Sequence, residues 1–318
     1  MDSTFVVGID VGGQTSKLGV VDARGTVLAQ TVIRTDTYDQ VEPYIAELAE
    51  AVNKLIRESG TEGKVRGIGV GAPNGNYYTG TIENAPNLLW GRQRVEFSKL
   101  LSEAMGGLPV ALTNDANAAA VGEMTYGAAR GMKNFIMITL GTGVGSGIVI
   151  NGEVVYGHDG FAGELGHVAA VRNNGRTCGC GKTGCLETYA SATGVARTAR
   201  EWLELTDEPS VLRSLDNIAS KDVYEAAKDG DKLALKIFEF TGKILGRSFA
   251  DFIAFSSPEA IVLFGGLARA KEFLLGPIEE AMNANVLPLW RGKVKIVFSQ
   301  LKESDAAILG ASALAWEL

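Results

Sequence analysis

The sequence predicts a two-domain α/β protein whose halves repeat one supersecondary unit. The chain has 318 residues, a length that favours two domains over one. Short apolar runs that end in glycine-rich turns alternate with amphipathic helical patterns, as in α/β folds. The arrangement of strand, glycine-rich turn and strand at 5–21 returns at 135–150. This internal repeat indicates a duplicated fold with a cleft between its halves.

The first predicted domain, residues 1–112, opens on a meander of three strands. These are the apolar runs at 5–9 and 18–21 and a stretch near 26–33, with a glycine-rich turn between the first two. An amphipathic helix follows at 39–58, where apolar residues recur at helical spacing. The remaining elements of this half are a strand entering a loop at 65–75, a loop-rich stretch at 76–94, a helix near 97–105 and a strand near 109–112.

The second predicted domain, residues 113–303, carries the repeated unit at 135–150 and a hairpin turn at Asn151–Gly152. The pattern at 231–255 is apolar around much of its circumference and predicts a buried helix. The other expected elements are helices at 191–202, 220–228 and 271–285, strands at 260–269 and 294–298, and a final helix at 304–317. The segment 304–318 is expected to cross back and complete the first domain.

Composition and charge argue against several classes of protein. The chain is 46% hydrophobic and 21% charged, an ordinary globular composition. A formal net charge of -7 argues against nucleic acid as the main partner. No apolar run reaches transmembrane length, and neither a signal peptide nor a DNA-binding module is expected before the first strand. We expect a soluble, cytoplasmic protein with small-molecule partners and no membrane partner.

The stretch 161–187 carries the most specific spacing in the chain. Its candidate metal ligands are His167, Cys178, Cys180 and Cys185. The pattern Cys-x-Cys-x4-Cys after a histidine suits a closed tetrahedral zinc site. The alternatives are reduced core cysteines or a disulfide, but the glycine and polar neighbours do not resemble a core, and an oxidising compartment is not expected. Glu164 and Glu187 flank the cluster, which suggests a scaffold that aims polar groups at a ligand.

Three glycine-rich turns follow apolar runs, and such turns can lay backbone N–H groups against phosphate oxygens. One turn alone is weak support, because tight hairpins need glycine anyway. Two turns that face each other across a cleft would suit a nucleotide triphosphate. The candidate residues are Asp10, Gly12, Gly13, Gln14 and Lys17 in the first turn, Thr139, Gly141, Thr142 and Gly143 in the second, and Gly265 and Gly266 in the third.

A polar pair, Asn114–Asp115, ends one predicted strand and opens a helix. Asparagine and aspartate are preferred helix N-caps, so a capping role is one interpretation. Ligands also bind at strand ends in α/β sheets, so a catalytic role is compatible with capping.

These motifs together resemble the ROK family (repressors, open reading frames, kinases), and the resemblance covers the whole chain. Asp10-Val-Gly-Gly with Lys17 is similar to the family's first phosphate motif, and 139–147 is similar to the second. Asn114-Asp115-Ala-Asn-Ala-Ala matches the catalytic motif. Glu164-Leu-Gly-His167 and the sequence CGCGKTGCLE match the family signature, which is its most specific part.

The resemblance implies an actin-like (ribonuclease H-like) fold and an ATP-dependent hexokinase that phosphorylates the 6-hydroxyl of glucose. Asp115 would be the general base, the three glycine-rich turns would hold ATP with Mg²⁺, and the cysteine cluster would hold structural Zn²⁺. The implied sugar ligands are Gly71, Asn114, Asp115, Glu164, His167 and Glu187. A homodimer is common in the family.

Two departures and several alternatives remain at this point. The family usually has threonine where this chain has Gln14, and Asn74 replaces a commoner glycine, which could alter sugar preference or be a tolerated turn variant. The alternative substrates are N-acetylmannosamine, N-acetylglucosamine and fructose. A more remote alternative is a sugar-sensing transcription regulator without its DNA-binding domain.

Overall fold

The computed structural model describes residues 4–318, apart from the side chains of residues 303 and 304. In chain order the strands are β1 (Phe5–Val11), β2 (Thr15–Asp22), β3 (Val27–Arg34), β4 (Val65–Gly71), β5 (Gly75–Asn76), β6 (Thr81–Ile82), β7 (Val110–Thr113), β8 (Phe135–Leu140), β9 (Val144–Ile150), β10 (Glu153–Val154), β11 (Ala260–Phe264) and β12 (Lys295–Phe298). The helices are α1 (Val41–Glu58), α2 (Phe97–Ala104), α3 (Asp115–Tyr126), α4 (Glu187–Ala190), α5 (Ala192–Leu205), α6 (Ser220–Lys228), α7 (Lys232–Ser256), α8 (Lys271–Asn285) and α9 (Glu303–Leu314). Short 3₁₀ segments cover Leu165–His167, Val211–Ser214, Gly266–Ala270 and Ala315–Glu317.

The chain folds into two compact units. The first runs from the first described residue to Met132 and adds Glu153–Gly163 and Gln300–Leu318, and the second comprises Lys133–Gly152 and Glu164–Ser299. Residues 113–132 lie in the first unit, whereas the sequence pattern predicted a boundary after residue 112. They do so because α3 packs against α9 and β4.

The first unit is built on a twisted sheet with the strand order β3-β2-β1-β4-β7. β1 and β2 form an antiparallel hairpin, and β1, β4 and β7 run parallel to one another. The register pairs Asp10 with Gly71 and Gly71 with Thr113. The carboxyl ends of three parallel strands are therefore level, which is where ligands bind in open α/β sheets.

The second unit repeats this arrangement with β9-β8-β11-β12 as adjacent strands. β8 and β9 form the antiparallel hairpin, and β8, β11 and β12 run parallel. The order and the strand directions match β2-β1-β4-β7 of the first unit, so the duplicated core predicted from the two glycine-rich hairpins is confirmed. Phe264 pairs with Thr139, which brings the turn after β11 level with the turn after β8.

Each sheet is covered by helices whose apolar faces could be predicted from the sequence. In α1 the buried side chains that pack over the first sheet include Tyr44, Leu48, Val52 and Leu55. In α7, more than half of the residues are buried in the second core, as the apolar pattern predicted. Burying each such leucine or phenylalanine side chain stabilises the fold by about 1.5–3 kcal/mol.

Helix α9 packs against β1 and β4 in the first unit. Its close approach requires glycine in the strands, because a Cβ at Gly69 would collide with the carbonyl oxygen of Ala311. Across the described residues, no helix combines the length and the apolarity that crossing a membrane requires.

A turn just before the loop-rich stretch at 76–94, which contains the short strand β6, explains one departure from the family pattern. Asn74, just before β5, has a left-handed φ of 52°. Its side-chain amide donates to the carbonyl oxygens of Glu83 and Asn84 at 3.0 and 2.9 Å. Asparagine tolerates this conformation better than other residues with a Cβ. Asn74 therefore replaces glycine as a turn residue with its own stabilising contacts.

Candidate active site

The polar pair Asn114–Asp115 lies at the carboxyl end of the first sheet, where β7 ends and α3 begins. The side chain of Asn114 caps α3 by accepting the N–H of Asn117 at 2.6 Å. Asp115 Oδ1 accepts the N–H of Ala116 at 2.9 Å. With its oxygen used in the cap, Asn114 keeps its amide N–H₂ available as a donor, so the capping and ligand-binding interpretations are compatible.

Asp10 lies at the end of β1, in the same row of strand ends, and faces Lys17 across the hairpin. Burial, with repulsion from Asp115 as the second cause, raises the pKa of Asp10 to about 6, although Lys17 acts in the opposite direction. Desolvation by the surrounding protein also raises the pKa of Asp115, and the N–H groups at the start of α3 offset this rise only in part. The Asp115 side chain is nonetheless open to solvent. Two carboxyl groups with raised pKa values thus meet at one sheet end, a feature typical of functional sites.

The raised pKa of Asp10 predicts a pH-dependent stability. The folded state binds the proton of the Asp10 carboxyl more tightly than the unfolded chain does. The ionised carboxylate therefore destabilises the fold above pH 6. This destabilisation is relieved as the pH falls from about 6 to about 4. Asp10→Asn should therefore raise the free energy of unfolding by about 1–3 kcal/mol at pH 8, with the gain vanishing near pH 4. Urea unfolding of wild type and Asp10→Asn between pH 4 and pH 8 measures this difference in the free energy of unfolding.

Asp22→Asn is the control, for which the expected change in the free energy of unfolding has the opposite sign. The N–H groups of Thr26 and Arg24 hold the pKa of Asp22 below its usual range, outweighing desolvation. Its carboxylate stabilises the fold at neutral pH, so this variant should lose stability at pH 8. A pH-independent difference between Asp10→Asn and wild type would contradict the raised pKa of Asp10.

The first glycine-rich turn closes through its own backbone. The N–H of Gly12 bonds to the carbonyl oxygen of Thr15 at 3.1 Å, and the carbonyl of Gln14 accepts the N–H of Thr35 at 2.9 Å. The side chain of Gln14 is exposed. The backbone of the turn is therefore formed without a threonine at position 14.

In the second unit, the turns after β8 and β11 lie at adjacent strand ends. Thr139 Oγ1 accepts the N–H of Gly145 at 3.1 Å, and the N–H of Gly141 bonds to the carbonyl oxygen of Gly143 at 3.0 Å. Gly265 has a φ of +103°, and a Cβ there would meet the carbonyl oxygen of Leu140 at 2.6 Å. Only glycine fits this position, so the two turns can approach each other closely.

Glycines 141 and 143 differ in their surroundings. A Cβ at Gly141 would meet no atom within 4 Å, whereas a Cβ at Gly143 would collide with Oε2 of Glu187. The same Oε2 accepts the N–H of Val144 at 3.0 Å. The requirement for glycine at 143 thus comes from a carboxylate of the protein, and this contact was not predicted from the sequence.

The four candidate metal ligands converge as their spacing predicted. Their ligand atoms all lie within 4.8 Å of one another, and the three cysteines are free thiols. The Sγ atoms of Cys180 and Cys185 are 3.7 Å apart, and Cys178 Sγ lies 3.7 Å from His167 Nδ1. A tetrahedral zinc ion places such ligands about 3.6–3.8 Å apart.

The chemistry of the cluster also fits a cation. Without an ion, burial and the neighbouring sulfur atoms raise the pKa of Cys185 to about 12. A bound divalent cation would allow its thiolate to form at neutral pH. The residues therefore fit zinc, with Nδ1 as the nitrogen ligand and the opposite ring nitrogen of His167 directed away from the cluster.

The segment Glu164–His167 is placed by close packing on β9. The N–H of Leu165 donates to Ser146 Oγ at 3.0 Å, and a Cβ at Gly166 would collide with the carbonyl oxygen of Val144. Glu164 thus directly precedes the 3₁₀ segment Leu165–His167, and His167 is the last residue of that segment. In this unit the structure brings the Glu187 carboxylate next to the second glycine-rich turn and to Cys178, which in turn lies beside His167.

Comparison with known proteins identifies relatives over the full chain. The glucokinase of Halalkalibacterium halodurans is 39% identical over 315 residues, covering 98% of this chain and 94% of that protein. The structure of a ROK family glucokinase from Streptomyces griseus in complex with glucose and AMPPNP is 32% identical, with a TM-score of 0.80 and coverage of 99% and 100%.

A ROK family transcriptional regulator, described as a homolog of the E. coli MLC protein, has a similar structure with a TM-score of 0.87 and 28% identity. That match covers 98% of this chain and 78% of the regulator. These neighbours confirm the fold class expected from the resemblance. The family model described as "ROK family" matches residues 6–317, and the chain therefore belongs to the ROK family.

Proposed function

We propose that this protein is an ATP-dependent hexokinase that phosphorylates the 6-hydroxyl of glucose. The observation that carries the proposal is Asp115, a solvent-accessible carboxyl with a raised pKa at the level ends of three parallel strands. Such a group can accept the proton of a hydroxyl that attacks a phosphoryl group. The similarity over nearly the whole chain to glucokinases, one of them solved with glucose and an ATP analogue, supports the substrate and the donor.

The first unit would supply the base and part of the hexose contacts. Asp115 accepts the proton of the attacking hydroxyl as the bond to phosphorus forms, and its raised pKa makes it a stronger base than an ordinary aspartate. Asn114 donates to a sugar hydroxyl with the amide that its capping role leaves available. Gly71, level with Thr113, lies where a Cβ would be 3.6 Å from the Cα of Asp115, and we assign it to the sugar side. Asp10, Gly12, Gly13, Gln14 and Lys17 would lie on the nucleotide side.

The second unit would supply further hexose contacts and a phosphate cradle. Glu164 and Glu187 can accept hydrogen bonds from sugar hydroxyls, and His167 can donate with the nitrogen opposite Nδ1. The residues assigned to the nucleotide are Thr139, Gly141, Thr142, Gly143, Gly265 and Gly266. Their backbone N–H groups would neutralise part of the phosphate charge.

Two ions fit this assignment. Magnesium, carried by the nucleotide, would neutralise phosphate charge, and Asp10 is a carboxylate near which it could be held. Zinc in the site of His167 and the three cysteines would orient the histidine and its loop, and because four protein ligands close the shell it would have no open position for catalysis. A homodimer, the absence of a nucleic-acid partner and a cytoplasmic location remain proposals.

The test of the function is a coupled assay for ADP release across glucose, mannose, fructose, N-acetylglucosamine and N-acetylmannosamine. Glucose should give the highest kcat/KM. A higher kcat/KM for another sugar would keep the kinase and replace the substrate. Hexose binding without turnover would favour the alternative of a sugar-sensing regulator, and a transcriptional regulator of the same family has a similar structure.

Gly141→Val tests the phosphate cradle without disturbing the fold, because the added side chain would begin in open space. If the N–H groups of this turn bind phosphate, KM for ATP should rise about tenfold or more while KM for glucose changes by about twofold or less. Gly276→Val, also in open space but on α8, is the control and should leave both values unchanged. A raised KM for glucose with an unchanged KM for ATP would reassign the turn to the sugar.

A further inference from the structure

Arg176, two residues before Cys178, is a buried cation that links three parts of the second unit. It is 9% exposed. Its guanidinium donates from Nε and Nη2 to Oε2 of Glu201, and Nη2 also reaches Thr198 Oγ1 at 2.9 Å. Hydrogen bonds from Arg197 and Arg176 outweigh desolvation and hold the pKa of Glu201 below its usual range. The cation is therefore neutralised by α5.

The same arginine holds α4. Its Nη1 donates to the carbonyl oxygen of Thr188 at 2.8 Å, and its guanidinium lies 4.5 Å from the ring centre of Tyr189. Its backbone N–H donates to the Tyr189 hydroxyl at 2.9 Å. Both the main chain and the side chain of Arg176 thus connect the cysteine loop to α4.

Helix α4 has little stability of its own, since it has four residues and no side-chain cap. Its first residue is Glu187, whose carboxylate contacts the second glycine-rich turn through Val144 N–H and the metal cluster through Cys178 Sγ at 3.8 Å. The direction of this carboxylate depends on where α4 lies relative to the cysteine loop. The Arg176 side chain contributes to this relation through the charge-assisted hydrogen bond that its Nη1 donates to the carbonyl oxygen of Thr188.

We propose that Arg176 is a positioning residue for hexose binding, which it supports by holding α4 and hence the Glu187 carboxylate in place. The inference rests on the proposed function, in which Glu187 contacts the sugar. It assigns part of the preorganisation of the sugar site to a buried arginine and not to the metal alone. Lysine could not replace it fully, because one ammonium cannot span Glu201, Thr198 and the Thr188 carbonyl at once.

The experiment compares Arg176→Gln and Arg176→Lys with a matched control, Arg197→Gln. Arg197 pairs with the same Glu201 through Oε1 at 2.7 Å, but its side chain is 40% exposed. Within the described residues its hydrogen bonds go to Glu201 and Thr177, not to α4. For each protein, zinc per chain, the melting temperature, hexose affinity by calorimetry, and KM for glucose and for ATP are measured.

We expect Arg176→Gln to keep its zinc and to raise both Kd and KM for glucose about tenfold or more, with KM for ATP within about twofold of wild type. Arg176→Lys should have Kd and KM values for glucose between those of wild type and Arg176→Gln. Arg197→Gln should match wild type in KM for glucose and KM for ATP. A purely structural role would lower the melting temperature without separating the two KM values.

The outcomes separate this inference from the proposed function. If wild type does not phosphorylate any hexose, the proposed function fails. If wild type is active and a folded, zinc-bearing Arg176→Gln has wild-type hexose affinity, the positioning role is overturned. Should Arg176→Gln not fold, wild-type hexose affinity in Arg176→Lys overturns it equally. Zinc loss in step with the loss of affinity would overturn it too, because the arginine would then act through the metal site.

Discussion

Asp115→Asn is expected to lower kcat by about 10²–10⁴-fold, the usual contribution of a general acid or base. The amide has the same shape as the carboxyl and can still accept the N–H of Ala116, so the start of α3 should remain intact. It cannot take a proton from the attacking hydroxyl. Glucose affinity, measured by calorimetry, should fall far less than kcat.

Asp222→Asn is a matched control, because Asp222 also lies in the first turn of a helix and accepts a backbone N–H, that of Ala219, at 2.8 Å. Its kcat should equal that of wild type. A second readout follows from electrostatics. Repulsion from Asp115 contributes to the raised pKa of Asp10, so that pKa should fall in Asp115→Asn. Near-normal turnover in a folded Asp115→Asn protein would exclude Asp115 as the base.

Much of the fold could be predicted because its signals are local. Apolar runs, glycine-rich turns and helical periodicity depend on residues close in sequence, and the observed elements differ from most predictions by a few residues. The strand predicted at 18–21 extends to Thr15–Asp22, and the helix predicted at 191–202 is Ala192–Leu205. The strands β5 and β6, each two residues long, were not predicted, because two residues give no periodicity.

The site was less predictable where it depends on pairing between distant segments. That Asp10, Gly71 and Thr113 are level follows from the register of three parallel strands, which no local pattern specifies. The contact of Glu187 with Val144 and the contacts of Arg176 with α4 arise from tertiary packing. The metal cluster could be predicted because three of its ligands lie within eight residues, and their spacing restricts how the loop can fold.

Cys180→Ser is expected to remove the metal and, with it, hexose affinity. Cys180 is the exposed member of the cluster, so the substitution leaves the apolar core untouched. Loss of one thiolate should lower zinc occupancy strongly, because the shell needs all four ligands. Zinc per chain, measured on folded protein, should fall from one towards zero.

Loss of the metal should change KM for glucose and KM for ATP to different extents. Without the ion, His167 Nδ1 loses its bond to the metal and the loop that carries Glu164 and Glu187 should loosen. KM for glucose should therefore rise about tenfold or more. KM for ATP should change by about twofold or less, because the turns at Gly12 and Gly141 close through their own backbone hydrogen bonds. Treating wild type with a chelator should reproduce the pattern, and added zinc should reverse it there but not in Cys180→Ser.

The competing possibility is that zinc only stabilises the cysteine loop. Two contacts that do not involve the metal could then keep Glu187 in place. One is the hydrogen bond that Glu187 Oε2 accepts from the N–H of Val144, and the other is the hydrogen bond from Arg176 to the Thr188 carbonyl oxygen of α4. In that case Cys180→Ser would melt at a lower temperature but bind glucose as wild type does. Unchanged glucose affinity in a folded, zinc-free variant would refute the link between metal and sugar. A selective rise in KM for glucose would establish that the metal helps to orient the residues that bind the sugar.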